Sequence, residues 1–221
     1  VSTSDSDIET QQLKSFDIYV QTGSSTFKVQ SCIVTSANFT FNPRVQFLVA
    51  IEGQGTKISR AGNESYTIPG SLQSESSTRT PLQVYPVVSI DSLNMSNILS
   101  ANIQIQNEIQ WTPFETLHES LAVTGSSNAM FPSAYTVQNR IVSGAIQQYQ
   151  TDNNITQFDD FSTNSNITIT ARNMSGTDFW KIELNPAMYT ARMDAADVYT
   201  QTYDFRSTGN TAIGTQITQY S

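Results

Sequence analysis

The chain of 221 residues has a single cysteine, Cys32, and a single histidine, His118. One cysteine excludes an internal disulfide, so nothing in the sequence indicates an oxidising compartment. One histidine excludes a metal site built from several histidines. Because Cys32 lies in the strand-like run VQSCIVTS, we expect a small buried side chain rather than a reactive thiol. The sequence therefore predicts neither a metal nor any other cofactor.

Charged residues are also scarce, at 14% of the chain, and the formal net charge is −8. This balance excludes the basic surface that a nucleic-acid-binding protein needs to hold phosphates. No stretch reaches the ~18 apolar residues of a membrane span. The N-terminal sequence VSTSDSDIETQQ lacks the apolar core of a signal peptide. We therefore expect a protein made in the cytoplasm, without a membrane partner.

Runs of alternating polar and apolar residues, rich in β-branched and aromatic side chains, fill most of the chain. They follow one another too closely for helices to connect parallel strands. The pattern predicts a hairpin at the start, with Gly23-Ser24-Ser25 as its turn. We predict strands over 15–21, 27–34, 36–51, 82–90, 100–111, 139–150, 165–172, 178–185 and 197–206.

Helix signals are few. The best is Thr112-Pro113-Phe114-Glu115, which combines a capping threonine, a proline at the first helical position and a capping-box glutamate. It predicts a short helix to about Ser120, and a second short helix is expected over 154–161. The predicted fold class is mainly β: a β-sandwich or barrel protomer with one or two short helices.

The domain organisation follows from composition. Residues 1–14 are polar and acidic without periodicity, which predicts a flexible N-terminal arm. Residues 15–206 form one expected β domain, since all-β folds of this length are often single domains. Within it, residues 62–81 are polar with Gly and Pro, which predicts a projecting loop. Residues 207–221 are a polar tail that we expect to order only against a neighbouring subunit.

The phrase SANFTFNPRVQF at 36–47 is nearly repeated as SANIQIQNEIQW at 100–111. Side chains two residues apart in a strand share a face, so each copy predicts a long strand with one dry and one wet face. The expected dry faces are interrupted at Pro43 and at Asn107, which predicts a bend or bulge there. The wet face, a candidate lumen-facing surface, consists of Asn38, Thr40, Asn42, Arg44, Gln46, Asn102, Gln104, Gln106, Glu108 and Gln110.

The expected dry face of the first copy continues from Phe39 and Phe41 through Val45 and Phe47 to the following residues Val49 and Ile51. The wet faces of both copies are made of amides and one hydroxyl, with only one arginine and one glutamate. Such a surface is well hydrated, yet it offers almost no charge that could hold a phosphate.

Four stretches resemble the major tail tube proteins of long-tailed bacteriophages. The stretch at 131–149 is the closest match, with Arg140, Ser143, Gly144 and Tyr149 at the family's most recognisable positions. Together they cover roughly a third of the chain, in the family's order. The stretches are CIVTSANFTFNPRVQFLVAIEG (32–53), SANIQIQNEIQWTPFETL (100–117), FPSAYTVQNRIVSGAIQQY (131–149) and DVYTQTYDFRS (197–207).

The resemblance implies a structural protein of the virion, located in the virus tail and assembled in the host cytoplasm. Six protomers would form a ring, stacked rings would form a tube, and DNA would pass through the lumen without specific binding. The implied partners are copies of the same chain and other tail proteins. No catalytic residue is implied.

Three other functions stay open from the residues alone. A lectin-like β-sandwich would need exposed aromatic side chains, but Trp111 and Trp180 occupy apolar positions, so we expect both to be buried. A β-fold glycosidase would need two facing carboxylates. Neither Asp159-Asp160 nor Asp194 with Asp197 is spaced to face a common cleft, and no nucleophile motif accompanies His118. Another tail or capsid shell protein would assemble without contacting DNA.

Overall fold

The computed structural model describes residues 13–22, 25–42, 45–60, 84–91, 93–111, 135–154, 161–195, 198–207 and 215–219. These residues contain no helix, and therefore none long and apolar enough to cross a membrane. The mainly β prediction is confirmed. The strands are β1 (Phe16–Thr22), β2 (Ser25–Phe41), β3 (Leu48–Gln54), β4 (Lys57–Arg60), β5 (Tyr85–Ile90), β6 (Ile98–Trp111), β7 (Tyr135–Tyr149), β8 (Phe161–Arg172), β9 (Asp178–Ala195), β10 (Tyr199–Ser207) and β11 (Thr215–Gln219).

The strands form one antiparallel sheet with the order β1-β2-β6-β7-β10-β9-β8-β5. Strands β3 and β4 pair with β2 along its other edge, and β11 pairs with β9. In a flat sheet, β2 and β9 would be about 19 Å apart, because four strand spacings separate them. The ring centroids of Phe39 on β2 and Trp180 on β9 are only 4.7 Å apart. The sheet is therefore curled into a half-barrel.

The core lies inside this curl. Alternate side chains of the long strands point inward, as the period of two requires, and neighbouring strands supply directly opposed pairs such as Phe39 and Ile103. The ring of Tyr189 packs edge-to-face on Tyr203 at 5.6 Å. The larger buried apolar residues are Phe39, Phe41, Ile90, Ile103, Ile146, Ile167, Ile169, Ile182, Leu184, Tyr189, Tyr203 and Phe205.

The first copy of the repeated phrase is not one long strand. Strand β2 ends at Phe41, and the N–H of Val45 donates to the carbonyl oxygen of Asn42 at 3.3 Å, which closes a turn. The chain then returns as β3, antiparallel to β2. The prediction of a continuous strand over 36–51 was wrong because the polar–apolar alternation resumes after the turn. The signal for the reversal is the dipeptide Asn42-Pro43, since both residue types favour turns.

The apolar side chains after this turn are mostly exposed. Val45, Val49 and Ile51 have exposed fractions of 51%, 39% and 58%, so their predicted place on a dry face was wrong. Only Phe47 packs against the core, with its ring 5.5 Å from that of Trp180. The reason is position: β3 lies at the margin of the sheet, where no second layer of the described structure covers it.

The second copy forms the predicted long strand. Strand β6 has 14 residues, with Ala101 and Ile103 fully buried and Asn102 exposed between them. A bend or bulge was expected at Asn107. Asn107 itself is in register with Arg140, and the bulge follows between Glu108 and Ile109, with Gln138 of β7 as the extra residue. The counterpart in the first copy, Pro43, lies outside the described residues.

The hairpin predicted at the start is confirmed as β1 and β2. The predicted helix after Thr112 and the polar insert at 62–81 lie outside the described residues. Of the predicted helix over 154–161, Asn154 lies in a turn and Phe161 begins β8, while the residues between them lie outside the described part of the chain. The C-terminal tail was expected to order only against a neighbouring subunit, but its residues 215–219 pair with β9 of the same chain.

Candidate functional site

The two copies of the repeated phrase lie side by side. Strands β2 and β6 pair antiparallel from Ser36 opposite Gln106 to Phe41 opposite Ala101. Within this register Asn38 lies opposite Gln104, and directly opposed residues share a face. The amide side chains of both copies therefore belong to one surface, on the side of the sheet away from the core.

This surface continues across β7, β10 and β9. One row of opposed residues contains Asn38, Gln104, Ser143, Arg206 and Met188, and the next contains Thr40, Asn102, Ala145, Asp204 and Thr190. We call these ten residues the polar face. They span five adjacent strands, and all of them except Thr40 line a cavity of about 550 Å³. Eight of the ten have polar side chains, which makes the surface hydrated over its whole width.

The structure brings only part of the predicted wet face together. The turn residues Asn42 and Gln46 are exposed but lie outside the strands, and Arg44 lies outside the described residues. Thr40 and Gln104 are half-buried within the polar face. The exposed members on the strands are Asn38, Asn102, Gln106, Glu108 and Gln110.

The charges at the β9–β10 end of this surface cancel. The guanidinium of Arg192 on β9 lies 3.5 Å from a carboxylate oxygen of Asp204 and 3.8 Å from one of Asp194. Its neighbour Arg206 donates through Nε to the sulfur of Met188 at 3.1 Å. Two arginines therefore stand among two aspartates, and the surface has little net charge with which to hold a polyanion.

Sequence reasoning missed the contribution of β9 and β10. Asp204 and Arg206 occur in the predicted strand 197–206, at the two positions that alternate with the core residues Tyr203 and Phe205. That alternation shows that Asp204 and Arg206 share the face of the strand opposite to the core residues. It does not reveal that β10 lies beside β7, because that pairing connects residues about 60 positions apart in the chain.

Gly144 is required by the close approach of two strands. A Cβ at this position would lie 2.1 Å from the carbonyl oxygen of Asn102 and 2.7 Å from the ring of Phe205. Asn102 also accepts, through Oδ1, the N–H of Ala145 at 2.6 Å. These contacts attach β6 to β7 beneath the polar face, so Gly144 has a structural role.

The other motif residues on β7 have different positions. Ser143 belongs to the polar face. Tyr149 ends the strand, and its carbonyl oxygen accepts a hydrogen bond from the side-chain amide of Asn154 at 2.9 Å. Arg140 points to the opposite side of the sheet from Ser143, where it is half-buried. The four residues therefore do not form one site.

Arg140 and Asn107 form a bridge between three strands. The Nε of Arg140 donates to Oδ1 of Asn107 at 2.9 Å, and Nδ2 of Asn107 donates to the carbonyl oxygen of Val34 at 3.0 Å. Burial lowers the pKa of the Arg140 guanidinium, because removal from water disfavours its charged form. Asn107, which interrupts the apolar pattern of β6, is thus a hydrogen-bonding residue that links β7 to β2.

The residues considered for a reactive thiol, for sugar stacking, for metal binding or for catalysis form no alternative site in the described part of the chain. Cys32 is buried, as predicted, and burial raises the pKa of its thiol. Trp111 and Trp180 were expected to be buried, but both are half-buried. Trp180 packs against the core, and Trp111 donates through its indole N–H to Gln54 at 2.8 Å. Among the described residues, no group of three or more His, Cys, Asp or Glu side chains is placed so that it could hold a metal ion. His118, Asp159, Asp160 and Asp197 lie outside them, and Asp194 is an exposed partner of Arg192.

Comparison with known proteins gives one family. The model of the Bacteriophage Baseplate Tube Protein Family matches residues 4–215, which include all of β1 to β10. None of the curated proteins matches the chain.

Proposed function

Because the chain belongs to the bacteriophage baseplate tube protein family, we propose that its copies assemble into rings that stack into a tube for the passage of DNA. The membership itself confirms the coarser expectation, a structural phage protein associated with the tail and hence a virion component. We propose in addition that the ring has six subunits, that the protein serves as a tail tube subunit, and that it has no enzymatic activity.

The polar face is the observation that supports this proposal most directly. A wall for moving DNA must be wetted by water, yet it must not neutralise phosphates, because each neutralised phosphate releases counterions and holds the DNA in place. Amides and hydroxyls on four strands, together with Asp204 and Arg206 on the fifth, meet the first requirement. The pairing of Arg192 with Asp204 helps to meet the second. We propose that the polar face lines the lumen.

Strand β3 supports self-assembly. It pairs only with β2 within the described strands, and all seven of its residues are exposed. Leu48, Val49 and Ile51 are exposed at 56%, 39% and 58%, on both faces of the strand. An apolar edge strand is an open site for pairing with another chain, and soluble proteins normally protect such edges. We propose that a neighbouring subunit covers β3.

The two margins of the sheet differ, which favours a ring over a two-fold dimer. The margin opposite β3 is β5, which carries Pro86 and in which buried residues alternate with half-buried or exposed ones. Proline is typical of an edge strand because it donates no hydrogen bond. A contact between unlike surfaces is head-to-tail, and such contacts close into rings or continue as filaments.

Negative-stain microscopy of the purified chain tests the proposed assembly. We expect hollow tubes or six-fold rings at high protein concentration. A lectin-like module would give dispersed small particles instead. The polar-face cavity also speaks against that alternative, because its aromatic residues Tyr189 and Phe205 are only 3% and 4% exposed and offer no ring for a sugar to stack on.

A further inference from the structure

The core changes from apolar to polar near one end of β7 and β10. Ile146 and Tyr203 are a buried opposed pair, and the next pair on the core side of the same two strands is Gln148 with Gln201. These two glutamines are only 1% and 0% exposed. Gln150, two residues after Gln148, continues the same face, and its backbone N–H still donates to β10 at 3.0 Å. The layer of the core next to Ile146 and Tyr203 is therefore made of amides.

A backbone donor fixes the orientation of two of these amides. The N–H of Ser96 donates to Oε1 of Gln148 at 3.3 Å. The nitrogen of Gln148 then points away from Ser96 and donates to Oε1 of Gln201 at 3.2 Å. This leaves Nε2 of Gln201 buried without a hydrogen-bond partner in the described part of the chain. Exchanging the oxygen and nitrogen of Gln201 would not help, because two amide donors would then face each other.

Three more polar atoms at this end of the two strands are buried and have no partner among the described residues. They are Oε1 and Nε2 of Gln150 and the hydroxyl oxygen of Thr151. Gln150 is the diagonal neighbour of Gln201 across the β7–β10 pair, at roughly 7 Å between the β-carbons. The two side chains are therefore close, yet no direct hydrogen bond joins their amides. We call Gln148, Gln150, Thr151 and Gln201 the amide layer.

The chemistry of the amide layer indicates what it binds. Native proteins satisfy nearly all of their buried polar groups, so four unpartnered atoms in one place point to a bound ligand. The layer carries no charge, which makes it unsuited to an ion. Its nitrogens need an acceptor, its free amide oxygen needs a donor, and its hydroxyl can be either. Water meets all of these needs, and a buried water typically makes about three hydrogen bonds to such groups.

We propose that the amide layer is a binding site for ordered water, which is a structural component of the fold. One water accepts a hydrogen bond from Nε2 of Gln201 and donates one to Oε1 of Gln150, so that it bridges the diagonal between the two side chains. Nε2 of Gln150 and the hydroxyl of Thr151 bind to the same water network. The water thereby connects β10 to the residues that directly follow β7. This site belongs to the single chain and does not depend on the assembly of a tube.

Urea unfolding of the full chain, below the concentration of assembly, tests the site through the sign of two substitutions. Gln150→Met replaces the amide by an apolar side chain of similar length. If the amide binds water, hydrogen bonds are lost and the folding equilibrium constant should fall about tenfold. Thr151→Val, which removes only the hydroxyl, should lower the constant about fivefold. Gln106→Met, at an exposed position of β6, is the matched control and should change the constant by no more than about twofold.

The opposite sign would overturn the proposal. If these groups are buried dry and unpartnered, an apolar replacement of the same shape removes a desolvation cost, and both variants should be more stable than the wild type. An unchanged equilibrium constant in both variants would also contradict bound water. Because the measurement uses the unassembled chain, its result is independent of whether the protein forms a tube.

A crystal structure of the wild-type chain covers the case in which Gln150→Met fails to fold. At a resolution that shows ordered water, we expect electron density for a water within hydrogen-bond distance of both Nε2 of Gln201 and the side-chain amide of Gln150. A map in which these two amides contact each other directly, or in which no water lies between them, would contradict the proposal.

Discussion

Asn38 on β2 lies directly opposite Gln104 on β6, so that two sequence segments with nearly the same phrase are adjacent in one sheet. The polar surface then continues with Ser143 on β7 and Arg206 on β10. A surface of this width, with little net charge, requires five strands from distant parts of the chain to align in register. The proposed function depends on that alignment.

If the polar face lines a lumen, positive charge placed on it should retain DNA. Gln106 borders the polar face, two residues from Gln104 on the same side of β6. We expect Gln104→Lys combined with Gln106→Lys to leave tube assembly intact and to slow DNA release, because each added lysine can neutralise a phosphate. The DNA-binding constant of the lysine variant should fall as the salt concentration rises. The slope of its logarithm against the logarithm of the salt concentration should be about −0.9 per phosphate contact. The matched control is Gln→Glu at the same two positions, which should release DNA normally. Loss of assembly in the lysine variant would instead identify this face as a subunit joint.

A charge on β3 should block self-association without unfolding the subunit. Ile51 is 58% exposed, so Ile51→Lys should change the free energy of unfolding by less than about 0.5 kcal/mol. In the assembled state the same lysine would be buried beside a neighbour, and tubes should fail to form under the microscope. Met174→Lys is the control, since this residue is 82% exposed in the turn between β8 and β9. Equal tube formation by both variants would remove β3 from the interface.

Gly144→Ala should destabilise the fold. The added Cβ would meet the carbonyl oxygen of Asn102 at 2.1 Å and the ring of Phe205 at 2.7 Å, so β6 and β7 must separate or Phe205 must move. We expect a loss of about 3 kcal/mol in the free energy of unfolding, at the upper end for overpacking. Ser143→Ala, on the adjacent position, should cost less than about 0.5 kcal/mol. Chemical denaturation measures both, and similar values for the two variants would argue against a strict need for glycine.

Asp17 gives the hairpin of β1 and β2 a pH dependence. Its carboxylate lies 2.9 Å from Nζ of Lys28 and accepts the backbone N–H of Ser31 at 2.9 Å. Both contacts, Lys28 first, hold the pKa of Asp17 below its ordinary value of 3.8. The stabilisation is therefore fully present above the ordinary pKa and disappears as the pH falls through the lowered one.

The measurement is the difference in unfolding free energy between the wild type and Asp17→Asn as a function of pH. The difference should be constant near neutral pH and shrink only in strong acid. A difference that stayed the same down to about pH 2 would show that the charge of Asp17 does not contribute.

The sequence by itself predicted the strands and which side chains in each strand would share a face. Alternation with a period of two is a property of neighbouring residues, so Ile103 and Asn102 could be assigned to opposite faces of β6 without knowledge of any other strand. The same reasoning indicated a disturbance at Asn107. It failed at Asn42, because the alternation resumes after the turn, so the interruption at Pro43 was interpreted as a bend within one strand and not as a reversal of the chain.

Only the tertiary structure decided which strands are neighbours. The pairing of Asn38 with Gln104, the place of Arg206 beside Ser143, and the exposure of Ile51 all depend on contacts between distant segments. The sequence determined that this chain would form amphipathic strands, since that property is local. The hydrogen-bond register and the curl of the sheet decide which wet faces join into one polar face and which apolar strand is left at the margin. Neither property can be derived from the sequence of a single strand.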